Sequence, residues 1–183
     1  MGEQTPYERL GWRLQWPAII DENLDDFLGQ RLAERFSDWP CPEEVLQLWR
    51  LLAAAEAIDY LGHQLNESSL PREWSQDAVP VLTKAVNSHP LSQIRYFVWA
   101  AVRAGNSTYM RRQGDERSTR DAIVRELVQR PLRAQSESWT IRGFLPTQPV
   151  PFSLAAEALA KFLLPRPEAY WTLIPSSSPW EEE

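Results

Sequence analysis

The stretch "PEEVLQLWRLLAAAEAIDYLGHQL", residues 42–65, sets the fold class. Pro42 followed by Glu43 and Glu44 suits a helix start, because proline tolerates the first turn and carboxylates favour the positive end of the helix dipole. At about 100° per residue, Leu48, Trp49 and Leu52 fall within about 60° of Val45, an apolar stripe. Glu56, Asp59 and His63 then continue that same stripe, while Ala57, Ile58, Leu61 and Leu65 lie on the far side. One long helix is expected, changing its buried face midway or bending near Ala53–Ala55.

Working outward, helical patterns and punctuation alternate. "NESSLPREW" reads as a turn, and Arg72–Val86 as a helix that Pro80 should kink or split. Residues 91–104 place Leu91, Ile94, Phe97, Val98, Ala101 and Val102 on one face, with Gly105 a natural stop. Ser118 or Thr119 should cap a further helix to about Gln129, carrying Asp121/Arg125 and Glu126/Arg130 pairs, with Pro131 closing it. "GFLPTQPVPF" is an extended connector, and Ser153 should cap a deeply packed last helix, Leu154–Leu164. Upstream, Asp21 can cap a helix to about Phe36. Trp12, Leu14 and Trp16 alternate with polar residues, as in a strand or extended arm. The expectation is all-α: a single compact domain of about six helices (21–164), an N-terminal arm (1–20) and a Pro/Ser-rich acidic tail (165–183) whose end, "IPSSSPWEEE" (174–183), is expected to be mobile.

Composition narrows the function classes. A chain of 183 residues that is 43% hydrophobic, with nine Trp, can bury a sizeable core. One cysteine, Cys41, excludes an internal disulfide and a CxxC site. The opening "MGEQTPYERL" lacks a basic stretch leading into an apolar run, and no segment is apolar enough to span a bilayer, so a cytoplasmic protein is expected. The net charge of −6 argues against nucleic acid as a partner. That charge is uneven: eight Arg and four acids between Arg103 and Arg133 give that segment +4 and leave −10 for the rest.

Candidate chemistry is sparse. Glu56, Asp59 and His63 share a helical face, but a zinc or iron site wants three or four convergent ligands and the other histidine, His89, precedes a proline. A solvated face, or a His63–Asp59 contact, is the simpler reading. Cys41 between two prolines at a helix start could have a lowered pKa, yet no base is evident beside it. Nucleophile-elbow, phosphate-loop and dinucleotide-binding signatures are missing from the sequence. No catalytic residues, metal ligands or cofactor are therefore expected.

The helix over residues 91–104 offers more. Arg95, Tyr96, Trp99 and Arg103 fall away from its apolar face, and Trp, Tyr and Arg dominate binding hot spots. These four are the candidate partner-binding residues. The competing reading buries the helix on both sides, with Tyr96 and Trp99 in a second core layer.

Three stretches, "AEAIDYLGHQLNESSLPREW", "AVNSHPLSQIRYFVWAAVRAG" and "WTIRGFLPTQPVPFSLAAEALAKFLL", together resemble a family of small bacterial helical domains found with type VI secretion genes. The resemblance covers about residues 55–164, on Leu61, Leu65, Pro71, Arg72, Glu73, Trp74, Pro90 and Arg95. The chain departs from the pattern in its "NESS" insertion and in Ser75, where a second Trp would stand. The resemblance implies an accessory or adaptor role and carries no catalytic residue over. The sequence thus suggests a non-enzymatic module that binds another protein, as adaptor or chaperone for a secreted effector. The alternative is an immunity protein that covers a toxin's active site with Asp21, Asp25, Asp26, Glu43 and Glu44.

Overall fold

The structure is a computed structural model and describes residues 42–141, 143–144 and 153–176. The arm, the helix expected over 22–36, most of the proline-rich connector and the acidic end lie outside these residues. Within them the chain is all-α: six α-helices, one 3₁₀ segment and no strand.

Helix α1, Pro42–Glu67, is continuous. Its buried residues Val45, Trp49, Ala53, Ala57, Leu61 and Leu65 recur every fourth position. Each such step advances about 40° around the axis, so the buried face swings through about 200° along the helix. The change of face expected from the sequence is therefore a steady rotation. Asp59 is left exposed, and Glu56 and His63 half-buried.

A 3₁₀ segment, Arg72–Ala78, buries Trp74 and Ala78, and α2, Val79–Ala85, follows with Pro80 in its first turn. Pro80 thus splits the element, since proline is accepted where the backbone N–H has no helical partner. Helix α3, Leu91–Arg111, runs well past the stop expected at Gly105. Gly105 is there for contact: a Cβ at that position would lie 2.4 Å from Ile123 Cγ1 of the neighbouring helix.

That neighbour is α4, Glu116–Ser136, which forms with α3 the most extensive helix pair. Its cap is Asp115 rather than Ser118 or Thr119; the Asp115 carboxylate accepts from Ser118 N at 3.1 Å. Thr119 is buried and donates its hydroxyl to the Asp115 carbonyl at 2.7 Å. Pro131, expected to close the helix, lies inside it. The missing N–H costs one backbone bond, but Pro131 and Ala134 are both buried, and that packing carries the helix another turn. Glu126 and Arg130 pair at 2.7 Å as expected, whereas Asp121 and Arg125 form no ion pair.

The last two helices correct two expectations. Ser153 does cap α5, Leu154–Phe162, accepting from Ala156 N at 3.2 Å. The helix packs by only one face (Ala156, Leu159, Ala160), and Leu154 is 80% exposed, so deep burial is not found. The tail expected from residue 165 contains α6, Ala169–Thr172, whose Tyr170 is fully buried and stacks on Trp49 of α1 at 6.4 Å. The core therefore extends beyond residue 164. Its centre is Trp49, Leu61, Leu65, Ile94, Val98 and Tyr170.

Candidate functional site

The four residues singled out on α3 separate into an interior one and a surface group. Arg95 is only 4% exposed. Its guanidinium carbon lies 4.4 Å from the centre of the Tyr60 ring and 5.2 Å from that of Trp171. The reason is angular. Arg95 sits only about 20° from Val102 on the helical wheel, at the edge of the apolar face rather than opposite it. Burial draws its pKa below the ordinary arginine value, opposed by the fields of Tyr60, Glu56 and Tyr170. The same burial raises the Tyr60 hydroxyl, with Arg95 pulling the other way. Arg95 is a core cation between two aromatic rings and does not belong to a partner-binding surface.

Tyr96, Trp99 and Arg103 do lie together on the outer side. Tyr96 and Trp99 are half-buried and stacked, with ring centres 6.2 Å apart. Arg103 is exposed, its guanidinium 4.8 Å from the Trp99 ring centre. Among the described residues it has no carboxylate within ion-pair distance.

Two further groups complete the patch. Phe144 meets Tyr96 and Trp99 edge-on, both at 5.7 Å. It is held there by its own backbone N–H, which donates to the Ser92 carbonyl at 2.8 Å. Gly143 permits that approach, since a Cβ there would fall 2.4 Å from Ser92 Oγ. Arg130 of α4 donates to the Tyr96 hydroxyl at 3.3 Å while its other nitrogens hold Glu126. Glu126 also accepts from Arg133 at 2.9 Å. The result is a three-ring shelf with Arg130 tied down on one side and Arg103 open on the other. A shallow depression of about 250 Å³ lies between them, lined by Trp99, Arg103, Ser107 and Arg130.

Such a shelf presents flat apolar area with cations at its edge. It suits an apolar or aromatic side chain next to a carboxylate; a cation–ring contact contributes about 0.5–1 kcal/mol at an exposed position. Reading the sequence missed Arg130 and Phe144. Gly143 was a usable signal, because glycine is the default residue where the backbone must approach another group closely.

The other candidates stay apart. Asp59 pairs with Arg72, whose side chain crosses Gly62, rather than with His63. Glu56 accepts from the backbone N–H of Ser153 at 3.0 Å, tying α1 to the start of α5. Among the described residues no three His, Cys, Asp or Glu side chains come together as metal ligands would. Glu43 and Glu44 are exposed in the first turn of α1, while Asp21, Asp25, Asp26 and Cys41 lie outside the described residues. No described helix is long and apolar enough to cross a membrane. No protein-family profile, curated protein or solved structure matches the chain.

Proposed function

We propose that the chain is a non-enzymatic protein-binding module, an adaptor or chaperone serving a secreted effector or an accessory factor of a type VI-like secretion machine. The observation that carries the binding role is the Tyr96–Trp99–Phe144 shelf with Arg103 lying over Trp99 and unclaimed by any described carboxylate. A half-buried indole beneath an open guanidinium is poor economy for solubility and good geometry for recognition. The secretion setting rests on the family resemblance of residues 55–164. In this reading a partner's apolar side chain lies across Trp99, and an acid beside it pairs with Arg103.

The test is capture from host cells with the tagged full chain and with a Trp99→Ala/Arg103→Ala variant. The variant should melt cooperatively within a few degrees of the parent and lose the partner, which mass spectrometry would identify as a secretion component or its cargo. A well-folded variant that captures the same protein equally would remove this surface from the reading.

A further inference from the structure

On the opposite flank of α4 lies an open groove of about 310 Å³, walled by α2 on one side and the second half of α4 on the other. Val81, Ala85, Leu127 and Pro131 form its apolar lining. Val128 and Leu132, spaced i, i+4, stand along its edge at 43% and 60% exposure, an aliphatic ridge left in solvent. No carboxylate lines it; the ionisable lining residues are Lys84 and His89. Arg125 stands nearby on the same α4 face, exposed and without an ion pair among the described residues. The nearest acid along that face, Asp121, is about two turns before Val128. Beyond the other end, the Glu137 carboxylate is taken by the Trp139 indole N–H at 2.7 Å.

We infer that this groove is a second docking site, for an acidic amphipathic helix of a partner protein. Three features select that occupant. The lining is formed by two helices and the Ser88–His89 turn, with no strand edge among the described residues, so an extended segment would find no ladder for its own N–H and C=O groups. A helix satisfies those groups internally and presents only side chains. The i, i+4 ridge of Val128 and Leu132 matches apolar residues at helical spacing on the incoming face. Lys84 and Arg125 then select acids flanking that apolar stripe, through complementary charge. The site is separate from the Trp99 shelf: Arg130 turns towards Tyr96, while Val128 and Leu132 face the groove.

The probe is a synthetic peptide of about four helical turns, with Leu at i, i+3, i+4 and i+7 and Glu on the flanks. Its control carries Lys in place of Glu. Fluorescence anisotropy with the full chain should give micromolar binding of the acidic peptide and at least about tenfold weaker binding of the basic one. Leu132→Glu, at an exposed position where the fold tolerates it, should weaken the acidic peptide at least about tenfold with unchanged circular dichroism. Trp99→Ala should leave this binding unaltered, separating the groove from the shelf. Absence of binding, equal affinity for both peptides or indifference to Leu132→Glu would overturn the inference. A benzophenone side chain at the same position (Leu132→p-benzoylphenylalanine) supplies a second readout. Crosslinking to the acidic peptide supports the inference. Crosslinking to a second copy of the chain, or to residues 1–41 of its own, assigns the groove to that occupant and overturns it.

Discussion

Ile123 of α4 occupies the space that any side chain on Gly105 of α3 would need, with its Cγ1 and Cδ1 within 2.4 and 2.8 Å of the position of a Cβ there. The two helices touch backbone to side chain at this point, and Gly105 is buried mid-helix. Gly105→Ala gains about 1 kcal/mol of helix propensity. It also forces Ile123 and its neighbours apart, a cost of about 1–3 kcal/mol. The clash should win, lowering the melting temperature by roughly 2–6 °C for a chain of this size. Adding Ile123→Val should recover part of the loss, and a double-mutant cycle measures the coupling. Additive effects would show that the contact does not limit the α3–α4 approach.

The same glycine explains where sequence reading went astray. Gly105 looked like a stop, yet the three long helices end on other residues. Ser69, Gln113 and Ser138 adopt left-handed backbone at φ 56°, 53° and 51°. The N–H one residue later reaches back five positions in each case: Leu70 to Leu65 O at 2.9 Å, Gly114 to Tyr109 O at 3.0 Å, Trp139 to Ala134 O at 2.9 Å. This is the Schellman closure, built here without glycine at the left-handed position. A left-handed residue with a Cβ costs about 1–2 kcal/mol. Ser138→Gly should therefore raise stability by about 0.5–1 kcal/mol after the unfolded-state entropy of glycine is subtracted. Ser69→Gly should do the same. Urea unfolding of each single variant checks it, and a fall in midpoint for both would mean that the serine side chains hold these turns in another way.

What was legible in the sequence was periodic. The change of buried face along α1, the apolar arc of α3 and the Ser153 cap follow from spacing and local chemistry and are found, although Leu48 of the expected first stripe is 38% exposed. What was not legible depends on tertiary neighbours. Pro131 stays helical because its ring is buried. Tyr170 belongs to the core because Trp49 stands opposite it. Of the four residues singled out on α3, Tyr96, Trp99 and Arg103 do share the outer side. The wheel already turns Arg95 towards the apolar face, but the Tyr60 and Trp171 rings that receive its guanidinium come from distant parts of the chain. Phe144 reaches the shelf through a backbone contact that no periodicity encodes.

His89 makes an edge-to-face contact with Phe97, ring centres 5.2 Å apart. Burial lowers its pKa below the ordinary histidine value, with a hydrogen bond to Gln93 opposing the shift. The folded protein therefore favours the neutral ring. As pH falls through about 6.5 the unfolded chain takes up the proton first, so stability declines, and the decline ends once the folded state protonates too. His89→Gln should remove this component. Urea midpoints at pH 7.5 and pH 5 should thus differ more for the parent than for the variant. Identical differences would show that Phe97 and its surroundings place no penalty on the charged ring.

Arg95 tests whether a buried cation serves stability by its charge or by its bulk. The guanidinium stacks over Tyr60 and near Trp171, and the carboxylate that bears on it electrostatically, Glu56, is engaged with Ser153 N–H. Arg95→Ala removes a large side chain from the packed interior and should cost about 2–5 kcal/mol, as other large truncations in cores do. Arg95→Met keeps most of the volume and discards the charge, along with the cost of burying it. Buried ions replaced by apolar residues of similar size are often neutral or better, so this variant should stay within about 1 kcal/mol of the parent. Capture of a partner through the Trp99 shelf should be unaffected in Arg95→Met, because the residue faces inward. A Met variant as unstable as the Ala variant would locate the contribution in the charge and its ring contacts. A Met variant that folds normally yet loses the partner would return Arg95 to the binding surface.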